Sequence, residues 1–334
     1  MGSVGFTTSV PVEVILAAGK RPVDLNNVFI TAPRPQDLVE EAEAAGYPRT
    51  VCGWIKGLYA VAARIPDLEA VVAVMQGDCS NTQALLETLV MRGMHTVPFA
   101  YPFDRDAGLL ALQMEKFMRL LGTDWAGVRE VQRRLREVRR LVWEVDLLTW
   151  QEDLVTGQEN HYYQVCSTDF NQDPTAFAAE VAGFLAAARK RRALPPAIRL
   201  AYLGVPPIVS DLYAYLESLG ARVVYNEIQR QFSMPFDTED LVEQYLRYTY
   251  PYGAFARLED IRQELARRRV DGVIHYVQSF CFRQIEDMIL RQHIDLPFLT
   301  LEADRPGPLD AHSRMRVETF ISLLSSSARQ PETR

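Results

Sequence analysis

No run of apolar residues in this 334-residue chain approaches the roughly 20 that a bilayer-spanning helix needs. The stretch "VEVILAAG" near the start is too short, and no basic segment precedes it. Neither a membrane span nor a secretory signal is expected, and the protein should be cytoplasmic. Basic residues are also short: 36 Lys and Arg stand against 43 Asp and Glu, a net charge of -7. Phosphate neutralisation needs a basic face, so a nucleic-acid partner is not expected. Cysteine is scarce, with Cys52, Cys79, Cys166 and Cys281 alone. They form no CxxC pair, which excludes a zinc ribbon and a ferredoxin-type cluster motif. No glycine-rich P-loop is present either.

What is present is the balance of a globular protein, 48% hydrophobic and 24% charged, at a length that favours two domains. "VPVEVILAAG" reads as a short helix entered at Pro11 and stopped at Gly19. "NNVFITA" reads as a strand, "RPQDLVEEAEAAG" as a helix ended by Gly46, "GWIKGLYAVAARI" as another helix, and "LEAVVAVMQ" as a fully apolar strand. The helix "SNTQALLETLVMRG" and the strand "HTVPFAYP" follow. Residues 106–150 are helical around a break at "GTDWAG", where Thr123 or Asp124 caps the second helix. The arginines of that helix are expected on a solvated face, opposite Val131, Leu135, Val138 and Val142. From residue 161 the pattern restarts with a helix capped by Asp173, and the basic run at 189–192 suits its C-terminus. Strand and helix then alternate to the end, interrupted by an irregular, tyrosine-rich region. The expectation is an α/β protein of two Rossmann-like domains, residues 1–160 and 161–334, each a parallel sheet with helices on both faces.

Cys52, Cys79 and Cys281 share one setting: each is expected to follow an extended segment and open a helix. That is the carboxyl end of a strand, where α/β proteins bind ligands, and a helix N-terminus favours a thiolate. Two such residues come from the first half and one from the second. If the halves face each other, three sulfurs converge on the interdomain cleft. Each is a packed small hydrophobe or a ligand. As ligands they would hold a cluster, or zinc completed by Cys166 or a histidine.

These segments, in order, resemble the 2-hydroxyacyl-CoA dehydratase family, which includes the 2-hydroxyglutaryl-CoA dehydratase D-component and benzoyl-CoA reductase subunits. The resemblance runs through "VPVEVILAAGKRPVDL", "RTVCGWIKG", "VMQGDCSN", "IRLAYLGVPP", "DGVIHYVQSFC" and "LPFLTLEAD". It implies a [4Fe-4S] cluster held by Cys52, Cys79 and Cys281 in the interdomain cleft, with a fourth iron open to substrate. Cys166 matches none of the three ligand segments. The implied reaction is radical elimination of water from a 2-hydroxyacyl-CoA thioester, a lyase activity. A separate ATP-dependent iron–sulfur activator would deliver the electron, and a homologous second subunit or a second copy would complete the enzyme. A low-potential reductase and a non-catalytic electron-transfer subunit are the alternatives.

Around the three cysteines, Gly53, Gly77 and Asp78 allow close backbone approach or orient the turn. Ser80 and Asn81 cap a helix or donate hydrogen bonds to the site, and Trp54 shields it or packs. Acid–base candidates are His275, expected as a core histidine, Glu302 and Asp304 at a strand end, and Glu13 on the first helix.

Overall fold

The computed structural model describes residues 2–327. Strands covered on both faces are apolar without alternation, and runs of that kind build two sheets. The first half runs β1 (Ser3–Phe6), α1 (Val12–Ala17), β2 (Arg21–Asp24), α2 (Leu25–Ile30), α3 (Pro35–Ala44), α4 (Gly53–Arg64), β3 (Leu68–Gln76), α5 (Ser80–Met91) and β4 (Thr96–Ala100). Helices α6 (Ala107–Leu121), α7 (Trp125–Trp150), α8 (Gly157–Cys166) and α9 (Pro174–Ala188) follow. The second half runs β5 (Ile198–Leu203), α10 (Leu212–Ser218), β6 (Ala221–Asn226), α11 (Glu227–Phe232), α12 (Leu241–Arg247), α13 (Ala254–Arg267), β7 (Gly272–Val277), α14 (Arg283–His293), β8 (Phe298–Glu302) and α15 (Ala311–Ser327). Both sheets are four-stranded and wholly parallel, in the orders β2-β1-β3-β4 and β6-β5-β7-β8. The winding is the same in each, and three helices separate the second strand from the third in both halves.

Local chemistry sets the helix ends. Asp106 Oδ1 accepts from Leu109 N at 2.7 Å, and Gly122 closes α6 at φ 74°. Asp124, not Thr123, caps α7 through Gly127 N at 2.9 Å. Thr156 and Glu159 form a capping box on α8, and Asp173 caps α9 ahead of Pro174.

The sequence expectations need three corrections. "NNVFITA" is not a strand: it lies largely in α2, because Asp24 Oδ1 accepts from Asn26 N at 2.9 Å and starts a helix that buries Leu25 and Phe29, four residues apart. The strand is the preceding "RPVD", and β1 lies earlier still. The tyrosine-rich region contains α11 and α12. Finally, one arginine of α7 is not solvated. Arg139 is buried against Glu13, Nη1 to Oε1 at 2.6 Å, and the same carboxylate accepts from Tyr245 at 2.9 Å and Gln244 at 3.2 Å. Glu13, an acid–base candidate in the sequence, is therefore an internal counter-ion.

The halves share their cores. Val4, Phe6, Val72 and Phe99 of the first sheet pack with α6, α7 and α9 and with Ile228, Tyr245 and Tyr248 from the second half. A second core joins α2 and α4 to Tyr202, Ile274 and Tyr276. Residues 160 and 161, the expected boundary, both lie within α8.

Candidate functional site

The carboxyl ends of β1, β2, β3, β5 and β7 lead into the wall of one cavity of about 340 Å³, lined from both halves. This is where α/β proteins take up ligands. Cys52, Cys79 and Cys281 all line it, so three cysteines separated widely in sequence meet at one place.

Each sits at a helix N-terminus, but by different routes. Cys79 and Cys281 follow β3 and β7, as expected; Cys79 caps α5, and Cys281 precedes Phe282, the cap of α14. Cys52 does not follow a strand. It caps α4 after the turn that leaves α3, in which Val51 N donates to Pro48 O at 3.1 Å. The expected thiolates are also corrected. Burial pushes the Cys52 thiol up to about 12 and the Cys79 thiol up to about 11, and it raises Cys281 as well. Cys79 and Cys281 add to the rise at Cys52, and Asp78 adds to that at Cys79. Desolvation outweighs the helix N-terminal N–H groups, so the thiols keep their protons until a cation replaces them.

The donor set fits an iron–sulfur cluster: three cysteines, soft ligands that select iron–sulfur centres and zinc. Among the described residues no three His, Cys, Asp or Glu side chains come together closely enough to hold a single metal ion. Buried polar atoms of the wall that have no hydrogen-bond partner among the described residues include Trp54 Nε1 and Gln278 Oε1. Cys166 ends α8, buried in the first core and away from the cavity wall.

The neighbours of the cysteines divide by task. Asp78 Oδ1 accepts from Cys79 N at 2.8 Å and Oδ2 from Thr82 at 3.0 Å, which fixes the turn that carries Cys79. Ser80, Asn81 and Trp54 line the cavity, and Trp54 meets Phe29 edge-on at 5.5 Å. Gly53 and Gly77 bring the halves together. A Cβ on Gly77, at φ 102°, would stand 2.7 Å from Pro251 Cβ. One on Gly53 would stand 2.6 Å from Ile208 Cδ1 and 2.7 Å from the Asp304 carbonyl oxygen. Backbone cannot swing aside as a side chain can, so Gly53→Ala is expected to cost about 1–3 kcal/mol and to displace Cys52. Gly183→Ala, on α9 with nothing within 4 Å, is expected to gain about 0.5–1 kcal/mol. Urea unfolding of the pair checks both signs.

None of the expected acid–base residues lines the cavity. His275 is a core histidine, its Nδ1 2.7 Å from Asp287 Oδ1. Asp304 Oδ1 accepts from Ser279 N at 2.7 Å, and the Ser279 hydroxyl lies 2.6 Å from Asp304 Oδ2 and 2.8 Å from Glu302. Both carboxylates thus anchor the loop that presents Cys281. The wall holds residues the sequence did not single out: Asp24, His161, Tyr250 and Arg283. Arg283 is its one Lys or Arg among the described residues, with Nη1 3.3 Å from Glu286 and Cζ 5.0 Å from the Tyr250 ring centroid. Asp24 is buried, and its backbone N–H donates to Asp169 at 3.0 Å. Burial and the nearby Asp24 push the Asp169 carboxyl up to about 7. The signal for Asp24 was its place as a helix cap; His161 gave none without α8.

A family model described as 2-hydroxyglutaryl-CoA dehydratase, D-component, matches residues 7–324. A search of the curated proteins gave no match.

Proposed function

Because the chain belongs to the 2-hydroxyglutaryl-CoA dehydratase D-component family over nearly its whole length, we propose that it is a dehydratase or dehydratase subunit that removes water from a 2-hydroxyacyl-CoA thioester. The observation that carries this reading is the meeting of Cys52, Cys79 and Cys281 on one cavity wall. These three would hold a [4Fe-4S] cluster, as is typical of the family. When bound, the cluster supplies a Lewis-acidic iron and one-electron chemistry.

The chain's own residues supply the surroundings. Ile30, Ile55, Leu58, Val165 and Phe232 make much of the wall apolar and keep water out. Arg283 puts a fixed positive charge beside Cys281, on the wall where a thioester oxygen would gain charge. Elimination from such a substrate is hard because the β-hydrogen is barely acidic. An electron added to the thioester carbonyl lets the 2-hydroxyl leave as hydroxide and makes the β-hydrogen acidic. The electron is recovered as the enoyl product forms, so the net change is loss of water. With no P-loop in the chain, the electron comes from a separate ATP-dependent iron–sulfur activator, and a homologous subunit or a second copy completes the enzyme. No helix among the described residues is long and apolar enough to cross a membrane.

Iron, zinc and acid-labile sulfide in anaerobically purified protein test the cofactor. About four irons and four sulfides per chain, with a cluster EPR signal on reduction, are expected. Zinc alone, or no iron after anaerobic reconstitution, would overturn the reading. Product analysis with the activator present should then find an enoyl thioester and water, with no net gain of electrons.

A further inference from the structure

Helix α8 turns His161 and Val165, four residues apart, toward the cavity. The imidazole stacks on Tyr213 with ring centroids 4.6 Å apart and planes 27° apart, and its Nδ1 lies 3.1 Å from the Tyr213 hydroxyl. That hydroxyl has a single proton, which goes to Asn226 Oδ1 at 2.7 Å. Gln229 Nε2 already donates to the same tyrosine oxygen from 3.5 Å. Tyr213 thus faces His161 with a lone pair, so the imidazole hydrogen belongs on Nδ1 and Nε2 is left bare. No hydrogen bond from the described residues takes up Nε2. Burial pushes the imidazole down to about 3, so the ring is neutral near pH 7.

The wall's carboxylates are already engaged, and Gln278 Oε1 is a second open acceptor on the same wall. Asp24 Oδ1 accepts from the Asn26 backbone N–H at 2.9 Å and from Asn26 Nδ2 at 2.8 Å, and Asp78 accepts from Cys79 N and Thr82. A hydroxyl brought into this space by a ligand needs an acceptor, since burying it without one costs about 1–3 kcal/mol.

We propose that His161 offers its bare Nε2 to the 2-hydroxyl hydrogen of the bound thioester, and so selects hydroxylated acyl groups over their deoxy counterparts. The inference rests on the reading of the cavity as a thioester site. His161 holds the leaving hydroxyl in one orientation, and Tyr213 acts only through it, as a positioning residue that fixes the tautomer.

The test compares the affinity of a 2-hydroxyacyl-CoA with that of its deoxy analogue, by calorimetry on the anaerobically purified protein with its cluster and partner subunit. Wild type is expected to prefer the hydroxylated thioester by roughly tenfold. His161→Leu should bring the ratio to about one, while His161→Gln, which keeps an acceptor oxygen, should restore part of it. Two-bond proton–nitrogen NMR spectra of histidine-labelled protein, assigned by loss of a signal in His161→Gln, should show the Nδ1–H tautomer. Tyr213→Phe should relax it toward Nε2–H and lower the ratio. An unchanged ratio in His161→Leu, or an Nε2–H tautomer in wild type, would overturn the role of His161 alone. If neither thioester binds the wild type, the thioester reading falls, and the selection with it.

Discussion

Serine in place of Cys52, Cys79 or Cys281 is expected to strip most of the iron from anaerobically purified protein, while Cys166→Ser keeps it near the wild-type level. The first three share the cavity wall; Cys166 packs in the first core. A serine hydroxyl is a far poorer iron ligand than a thiolate, yet nearly the same size. Each variant should therefore stay folded and lose no more than about 1 kcal/mol of apo-protein stability. Iron and sulfide per chain, read beside a circular-dichroism melt of apo-protein, separate lost ligation from lost fold. Equal loss in all four variants would refute the three-ligand assignment, and so would full retention in any of the first three.

Arg257→Met is expected to destabilise the folded chain by about 3–5 kcal/mol near neutral pH. The guanidinium is fully buried, its Nε 2.6 Å and Nη2 2.9 Å from the two oxygens of Glu227, and Nη1 reaches Glu286. Removing it leaves the Glu227 carboxylate buried, with the Gly204 N–H, at 3.0 Å, as its one remaining hydrogen-bond donor among the described residues. The cost should depend on pH in a definite direction. In wild type, burial pushes the Glu227 carboxyl up, but Arg257, helped by Arg283 and the Gly204 N–H, outweighs burial and holds it below the usual carboxylate range. Its stabilising contribution is present above the unfolded value and fades as pH falls through the depressed folded value. Without Arg257, burial, the largest of the influences on this carboxyl, is opposed by Arg283 and the Gly204 N–H, and the carboxyl is expected to rise above its unfolded value, so the variant gains stability on mild acidification. The gap between the two proteins should therefore narrow between about pH 7 and about pH 4. Urea unfolding at both values measures it; a gap that widens would assign the destabilisation to lost packing instead.

What could be read from the sequence followed from short-range physics. "LEAVVAVMQ" could only be a doubly covered strand, and it is β3 over its full length. Asp173-Pro174 could only open a helix. The errors arose where two short-range signals competed. Val28 and Phe29 suggested a strand, but the capping carboxylate of Asp24 and the spacing of Leu25 and Phe29 favour α2. The pairing of Glu13 with Arg139, 126 residues apart, leaves no local trace. The same holds at the site. That each cysteine opens a helix was legible; that Cys52 follows α3 was not, because "YPRTV" looks extended and is a turn. Thiolates were expected from the helix N-termini alone, and burial, which depends on both halves closing over the cavity, reverses the sign.

The repeated winding order has a consequence for how the site is divided. Each half carries the same succession of strands and helices, so positions at the strand ends can be matched between the halves. Cys79 and Cys281 are such a pair, each leaving the third strand of its sheet. Cys52 opens the helix that precedes the third strand in the first half, and its counterpart is the turn before α13, where Tyr250 lines the cavity. Of the four corners that a duplicated motif provides, three carry sulfur and one carries a phenol ring. The repeat is broken at the position matching Cys52, so the halves contribute unequally: the first gives the wall two sulfurs and the second gives it one.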